Sequence, residues 1–289
     1  MIDLPDGVAF EDGDAPRIAV DTPAGRGVVH LDGATVTSWV PAGGEEVFFV
    51  SEQSRFGEGV HIRGGVPLCA PWFGPGLSKD RTPAHGFFRS VRWTLTEARR
   101  DGDTVTLVLT LPPLADIAHV DGVDSAPADL SATYTVTLGE DLTLSLETTS
   151  PSTALELENA LHAYLRVSDV KAVTVEGLAG SRYADKAPGG RAVNAQSGPV
   201  KLLRETDRVY ASAEPVVLVD GDRRVTFTKT GSNSTVVWNP WLRKAADLSD
   251  FGDDEWQRMI CIEPANALTG HVELAAGESH TLTATISLD

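Results

Sequence analysis

Side chains able to do acid–base or anion-binding chemistry gather in six short stretches of this 289-residue chain. In "HIRGGVPLCAPWFGPG", residues 61–76, a single cation, Arg63, stands beside Gly64 and Gly65 among prolines and aromatic residues. A guanidinium withdrawn from water needs an anionic partner, and glycine lets backbone or ligand come close. The stretch raises the question of which anion Arg63 awaits. "RTPAHGFFRSVRW" adds His85 and Arg89 around Gly86, with Arg92 reading as an ordinary surface cation. "LLRETDRVYASA" contributes Asp207, and "VVWNPW" sets two tryptophans around Asn239 and Pro240, as core plugs or as a sugar-stacking wall.

Two stretches carry the acid–base candidates. In "TALELENALHAYLRVSDV", residues 153–170, leucines occupy one parity while Glu156, Glu158, His162, Tyr164 and Arg166 occupy the other. A strand would put these polar residues on one face, either exposed to solvent or flooring a cleft with an imidazole in it. In "RMICIEPANA", Glu263 precedes Pro264, which cannot continue a central ladder, so Glu263 is expected at a strand end beside a turn. There it caps the turn or enters a site where apolar neighbours tune its pKa.

Other chemistries lack their signatures. "IRGGVP" has no Lys-Ser/Thr ending of a phosphate loop. No CxxC, HExxH or GxSxG spacing occurs. His61, His85 and His162 could meet on a metal only through the fold. No metal or cofactor is therefore expected.

The elements that must position these residues are strands. "TVTLVLTL", "DLTLSLETT" and "SHTLTATISLD" alternate apolar and hydroxyl side chains, punctuated by turns at Gly102, Gly139, Gly221 and Gly277. "NPWLRKAADL" offers one short turn of helix, and residues 114–131 read as an exposed loop with a solvated His119. Many strands without a break in composition predict a single all-β domain over residues 1–289.

The totals narrow the partners. Hydrophobic residues make up 42% and charged residues 22%, enough for a large core. A formal charge of −17 disfavours nucleic acid, while a few arginines suffice for a small anion. The acidic run Asp250, Asp253, Asp254 and Glu255 reads as solvated surface. No apolar window reaches the roughly 18 residues of a membrane helix. The acidic N-terminus is unlike a signal peptide. Cys69 and Cys261, far apart in apolar surroundings, read as reduced thiols. The expectation is a cytoplasmic monomer.

Together "IRGGVPLCAPWFG", "PAHGFFRSVRW", "ENALHAYLRVSDV", "ETDRVY", "VVWNPW" and "CIEPAN" resemble the aldose 1-epimerase superfamily, within it the hexose-6-phosphate mutarotases. The resemblance implies a galactose mutarotase-like β-supersandwich. It implies His162 as general acid and Glu263 as general base. Arg63 and Arg89 become phosphate ligands, and His85 and Asp207 sugar ligands. The substrate implied is a phosphorylated sugar, with an ionised carboxylate and a protonated imidazole doing the work without a cofactor. One departure is Ala84, where the family commonly has glutamine; Lys79 and Arg81 are the nearby candidates to replace that amide. A mutarotase of free hexoses and a non-catalytic carbohydrate-binding module are the rival readings.

Overall fold

The structure, a computed structural model, describes residues 2–289. The alternating stretches form its largest sheet. Val105, Leu107 and Leu109 on strand Thr104–Thr110 are fully buried, as are Leu142, Leu144 and Leu146 on Leu142–Ser150. The other parity carries hydroxyls that pair across strands, Thr143 with Thr285 and Ser145 with Thr283, each at 2.9 Å. Eight antiparallel strands result, in the order Thr174–Glu176, Val216–Asp220, Arg223–Thr230, Glu278–Leu288, Leu142–Ser150, Ser131–Leu138, Thr104–Thr110 and Thr94–Asp101.

A second sheet carries the candidate residues. Its order is Asn194–Ala195, Arg182–Asp185, Thr206–Tyr210, Ser234–Asn239, Met259–Asn266, Asn159–Leu161 and Leu68–Cys69; Ala163–Arg166 also pairs with Met259–Asn266. One continuous buried cluster includes Ile260 and Ile262 of this sheet with Leu144, Leu282 and Ile286 of the larger one. A four-stranded antiparallel sheet, Val8–Glu11, Arg17–Thr22, Gly25–His30 and Val36–Pro41, adds Ile18, Val29 and Trp39 to that cluster. The one α-helix among the described residues is Trp241–Ala246. The all-β architecture thus stands.

Several local expectations change. Residues 153–170 are not one strand but three short ones, Leu155–Leu157, Asn159–Leu161 and Ala163–Arg166. Between them the chain turns its N–H groups to another partner: Glu158 donates to the Pro71 carbonyl at 3.1 Å and His162 to the Pro67 carbonyl at 3.0 Å. The polar parity therefore splits. Glu158 is buried, accepting bonds from the Phe73 and Leu268 N–H groups, while Glu156 and Arg166 are exposed. Glu263 does not end a strand either. Met259–Asn266 runs straight through Pro264. On one side Pro264 lies opposite Thr235; on the other the ladder lapses between Ala160↔Ala265 and Ala163↔Ile262. A proline has no N–H to give that ladder, and His162 stands in the gap.

The 114–131 loop is less exposed than expected, burying Leu114, Ile117, Val123 and Leu130, though His119 is exposed. Arg92 is no free surface cation: its Nε donates to the buried Asp32 carboxylate at 2.7 Å. Both cysteines are buried and unpaired.

Candidate active site

Register places the site on one face of the second sheet. Asp207 pairs with Trp238, Trp238 with Cys261, and Cys261 with Tyr164, a row across four strands. Residues directly opposite in a ladder share a face, as do alternate residues along a strand. Val236 and Glu263, paired two positions along, therefore lie on this face too. The Lys186 N–H donates to the Asp207 carbonyl at 2.7 Å, extending the row beyond Arg182–Asp185.

Above this face lies a cavity of about 260 Å³. His162, Glu263, Arg63, His85, Arg89 and Asp207, six residues scattered over 200 positions, all line it. His162 Nε2 lies 3.4 Å from Glu263 Oε1. Both side chains are buried, and His162 Nδ1 and Glu263 Oε2 have no hydrogen-bond partner among the described residues. The His162 ring stacks on Tyr164, centroids 4.8 Å apart at 17°, with His85 and Trp238 edge-on to it.

Burial sets the proton balance. Loss of hydration pushes the Glu263 carboxyl well above its usual range; Asp207 adds to this, and Lys186 and Arg89 oppose it. Burial likewise holds His162 well below its ordinary value, helped by Arg89 and Arg63. The expected ionised carboxylate and imidazolium are thus disfavoured relative to a neutral acid and a neutral imidazole. The two descriptions contain the same number of protons, and one transfer across 3.4 Å interconverts them.

Arg63 already has an anion. Its Nε and Nη2 lie 3.2 and 3.1 Å from Asp250 Oδ2, and Nη1 donates to the Tyr164 hydroxyl at 3.1 Å. Asp250 is therefore the ion-pair partner of a cavity residue, not solvated surface. Glu255 is likewise engaged, accepting from the Glu52 and Gly252 N–H groups. The glycines after Arg63 serve the backbone: a Cβ would fall 2.4 Å from Val50 Cα at Gly64 and 2.2 Å from the Val36 carbonyl at Gly65. Among the described residues the side chain of Arg89, on the 3-10 turn Phe88–Ser90, bonds the Ala84 carbonyl alone, at 2.8 Å. The other cations of the cavity each face a carboxylate, Arg63 with Asp250, Lys186 with Asp207 and Lys244 with Glu205. Among the described residues Arg89 alone of the four has none.

His85 accepts the Gly74 N–H at Nδ1, which leaves Nε2 as the donor of a neutral ring. Burial keeps that ring neutral, well below its ordinary value. Gly86 fixes its place: φ is +70° and a Cβ would sit 1.9 Å from the Ala70 carbonyl.

Ala84 does not line the cavity, and neither Lys79 nor Arg81 replaces an amide there. Arg81 reaches the Ser125 carbonyl instead, at 2.6 Å, and Lys79 borders a separate apolar groove. His61, His85 and His162 share the cavity, yet among the described residues no three His, Cys, Asp or Glu side chains cluster as metal ligands. Lys186 and Lys244 went unread in the sequence. Each is a lone lysine without a local motif, and only the strand register delivers Lys186 to the site.

An acid–base pair 3.4 Å apart, polar groups on one wall and cations lining the cavity suit proton transfer on an anionic polyol. The chain is similar to proteins named as epimerases and mutarotases. Over 253 residues it is 33% identical to an Escherichia coli protein named "Putative glucose-6-phosphate 1-epimerase", covering 86% of this chain and 83% of that one. A Cenchrus ciliaris protein of the same name is 32% identical over 263 residues, covering 86% and 77%. A crystal structure of a "putative mutarotase" from Salmonella typhimurium superposes with TM-score 0.88 at 29% identity, covering 100% of this chain and 95% of that one. A galactose 1-epimerase from Lactobacillus acidophilus shares the fold, with TM-score 0.69 at 15% identity over 98% of both chains. Residues 16–287 match the aldose 1-epimerase family across nearly the full length, and the chain belongs to that family.

Proposed function

We propose that the chain interconverts the α and β anomers of hexose 6-phosphates, glucose 6-phosphate foremost. The observation that carries this reading is the uncompensated Arg89 beside the His162–Glu263 pair, a free cation in the cavity of a chain of net charge −17. The names of the relatives support it.

In this mechanism Glu263, as carboxylate, takes the proton from O1. O1 becomes a carbonyl oxygen, the C1–O5 bond breaks, and His162, as imidazolium, protonates O5. C1 then turns about the C1–C2 bond, and closure from the opposite face reverses both transfers. Ring opening leaves the neutral acid and neutral imidazole, the form burial favours, so the cavity stabilises the open-chain stage. Each group contributes about 10² to 10⁴ in rate. Arg63 and Arg89 hold the phosphate, guanidinium being matched to its oxygens. His85 and Asp207 bind ring hydroxyls, and Trp238 supplies an apolar wall.

The engagement of Arg63 by Asp250 favours a second reading, a mutarotase of free hexoses in which Arg63 is structural. Polarimetry on freshly dissolved α-glucose 6-phosphate and α-glucose separates the two. The first reading expects a large preference for the phosphorylated sugar that Arg89→Met abolishes. Equal turnover of both sugars by the wild type would overturn it.

A further inference from the structure

Lys186 has no part in the roles assigned above, yet its place is tightly specified. It follows strand Arg182–Asp185, and its Nζ lies 3.4 Å from Asp207 Oδ1 and 5.0 Å above the Phe73 ring. Asp207 and Glu263 project from one face of the sheet into one cavity. Two carboxylates in so small a space repel each other when both are ionised. Asp207 therefore works against the base, and the ammonium beside it cancels that charge.

The other groups that face Glu263 do not serve this purpose. His162 stands at 3.4 Å as its proton partner, and Cys261 on its own strand is a buried thiol held protonated. Tyr164, beside His162, is a buried phenol engaged by Arg63. His61 and His85 are both kept neutral by burial. Lys244 faces Glu205, and Arg63 faces Asp250. Arg89 is a counter-charge only until an anionic substrate takes it. Lys186 then remains in the cavity as the cation paired with Asp207.

We propose that Lys186 is a positioning residue for the reaction: it fixes Asp207 and neutralises its charge, so that Glu263 can give up its proton and act as the base. The inference rests on the acid–base reading of the site, and its test is chosen to be independent of turnover.

The full chain, labelled with ¹³C at glutamate carboxyls, is titrated by NMR as wild type, Lys186→Met and Lys186→Arg, with Glu263 assigned through Glu263→Gln. The Glu263 midpoint should lie about one pH unit higher in Lys186→Met, the size expected from losing a nearby opposite charge. Lys186→Arg should restore it, and adding Asp207→Asn to Lys186→Met should restore it as well. The acidic limb of kcat/KM for glucose 6-phosphate should move in parallel. The Lys186 side chain is about one-third exposed and methionine keeps its stem, so the fold should survive; Lys186→Gln gives the same readout should it not. An unchanged Glu263 midpoint on loss of the ammonium overturns the proposal. A wild type inactive on hexose phosphates, with the midpoint shifted as expected, overturns the proposed function and leaves this inference standing.

Discussion

Arg63 and Arg89 line the same cavity but differ in what each already holds. Arg63 donates to Asp250 and Tyr164, whereas Arg89 donates to one backbone carbonyl. Removing Arg89 should cost phosphate binding alone. Arg89→Met is expected to lower kcat/KM for glucose 6-phosphate about 10- to 100-fold, the worth of a hydrogen bond to a charged group, with an unchanged melting midpoint. Arg63→Met should lower activity and also stability, by about 1–3 kcal/mol, because Asp250 loses its main partner. Urea titration distinguishes them; equal stabilities would contradict the internal ion pair. The acid–base pair makes a second residue-scale prediction. His162 and Glu263 titrate as a unit whose productive state holds one proton. At low pH the pair gains a second proton and no base remains; at high pH it loses its last and no acid remains. A bell-shaped kcat/KM profile is expected, and a flat one would contradict shared protonation.

At the scale of elements, the strand Met259–Asn266 and the interrupted segment opposite it deliver the pair. Lys229 clamps their sheet to the larger one. From strand Arg223–Thr230 its ammonium reaches the Ser212 and Ser234 carbonyls at 2.6 and 2.9 Å, and the Thr235 hydroxyl at 2.7 Å. Thr235 is the residue paired with Pro264. Burial pulls Lys229 down to about 7. Its folded value then lies below its unfolded one, so the unfolded chain binds more protons between the two. Stability should therefore rise as pH climbs from about 7 toward the free-lysine range, and Lys229→Met should remove that rise. Thermal melts of both chains across this range check it; parallel slopes would contradict it. Gly86→Ala, forcing a Cβ onto the Ala70 carbonyl at positive φ, should cost about 1–3 kcal/mol and displace His85. The alternation of Leu142, Leu144 and Leu146 was legible because each reports its own burial. The breaks at Glu158 and His162 were not, because they are set by the carbonyls of Pro71 and Pro67, distant in the chain. The run of strand Met259–Asn266 through Pro264 is hidden for the same reason: whether a proline breaks a ladder depends on the side where its missing N–H falls.

Across the whole molecule, a charge of −17 surrounds a cavity in whose lining four cations, Arg63, Arg89, Lys186 and Lys244, outnumber two carboxylates, Asp207 and Glu263. Self-repulsion of that surface opposes the compact state and is screened by salt. Raising sodium chloride from about 10 to 150 mM, where the screening length falls to about 8 Å, should raise the melting midpoint by a few degrees; a falling midpoint would contradict this. The all-β architecture and the six residues of the cavity were visible in the chain because strand periodicity and motif wording are local. The Arg63–Asp250 pair, 187 residues apart, and the arrival of Lys186 beside Asp207 were not, since neither has a local signal. The central claim is that this cavity exchanges the anomers of a phosphorylated hexose. It is tested most directly by NMR magnetisation transfer between the α and β H1 resonances of glucose 6-phosphate at equilibrium. Wild-type protein should give exchange far faster than buffer alone, and His162→Asn and Glu263→Gln should return it close to the solution rate. Exchange no faster than buffer with the folded wild type, or undiminished in both variants, would contradict the account.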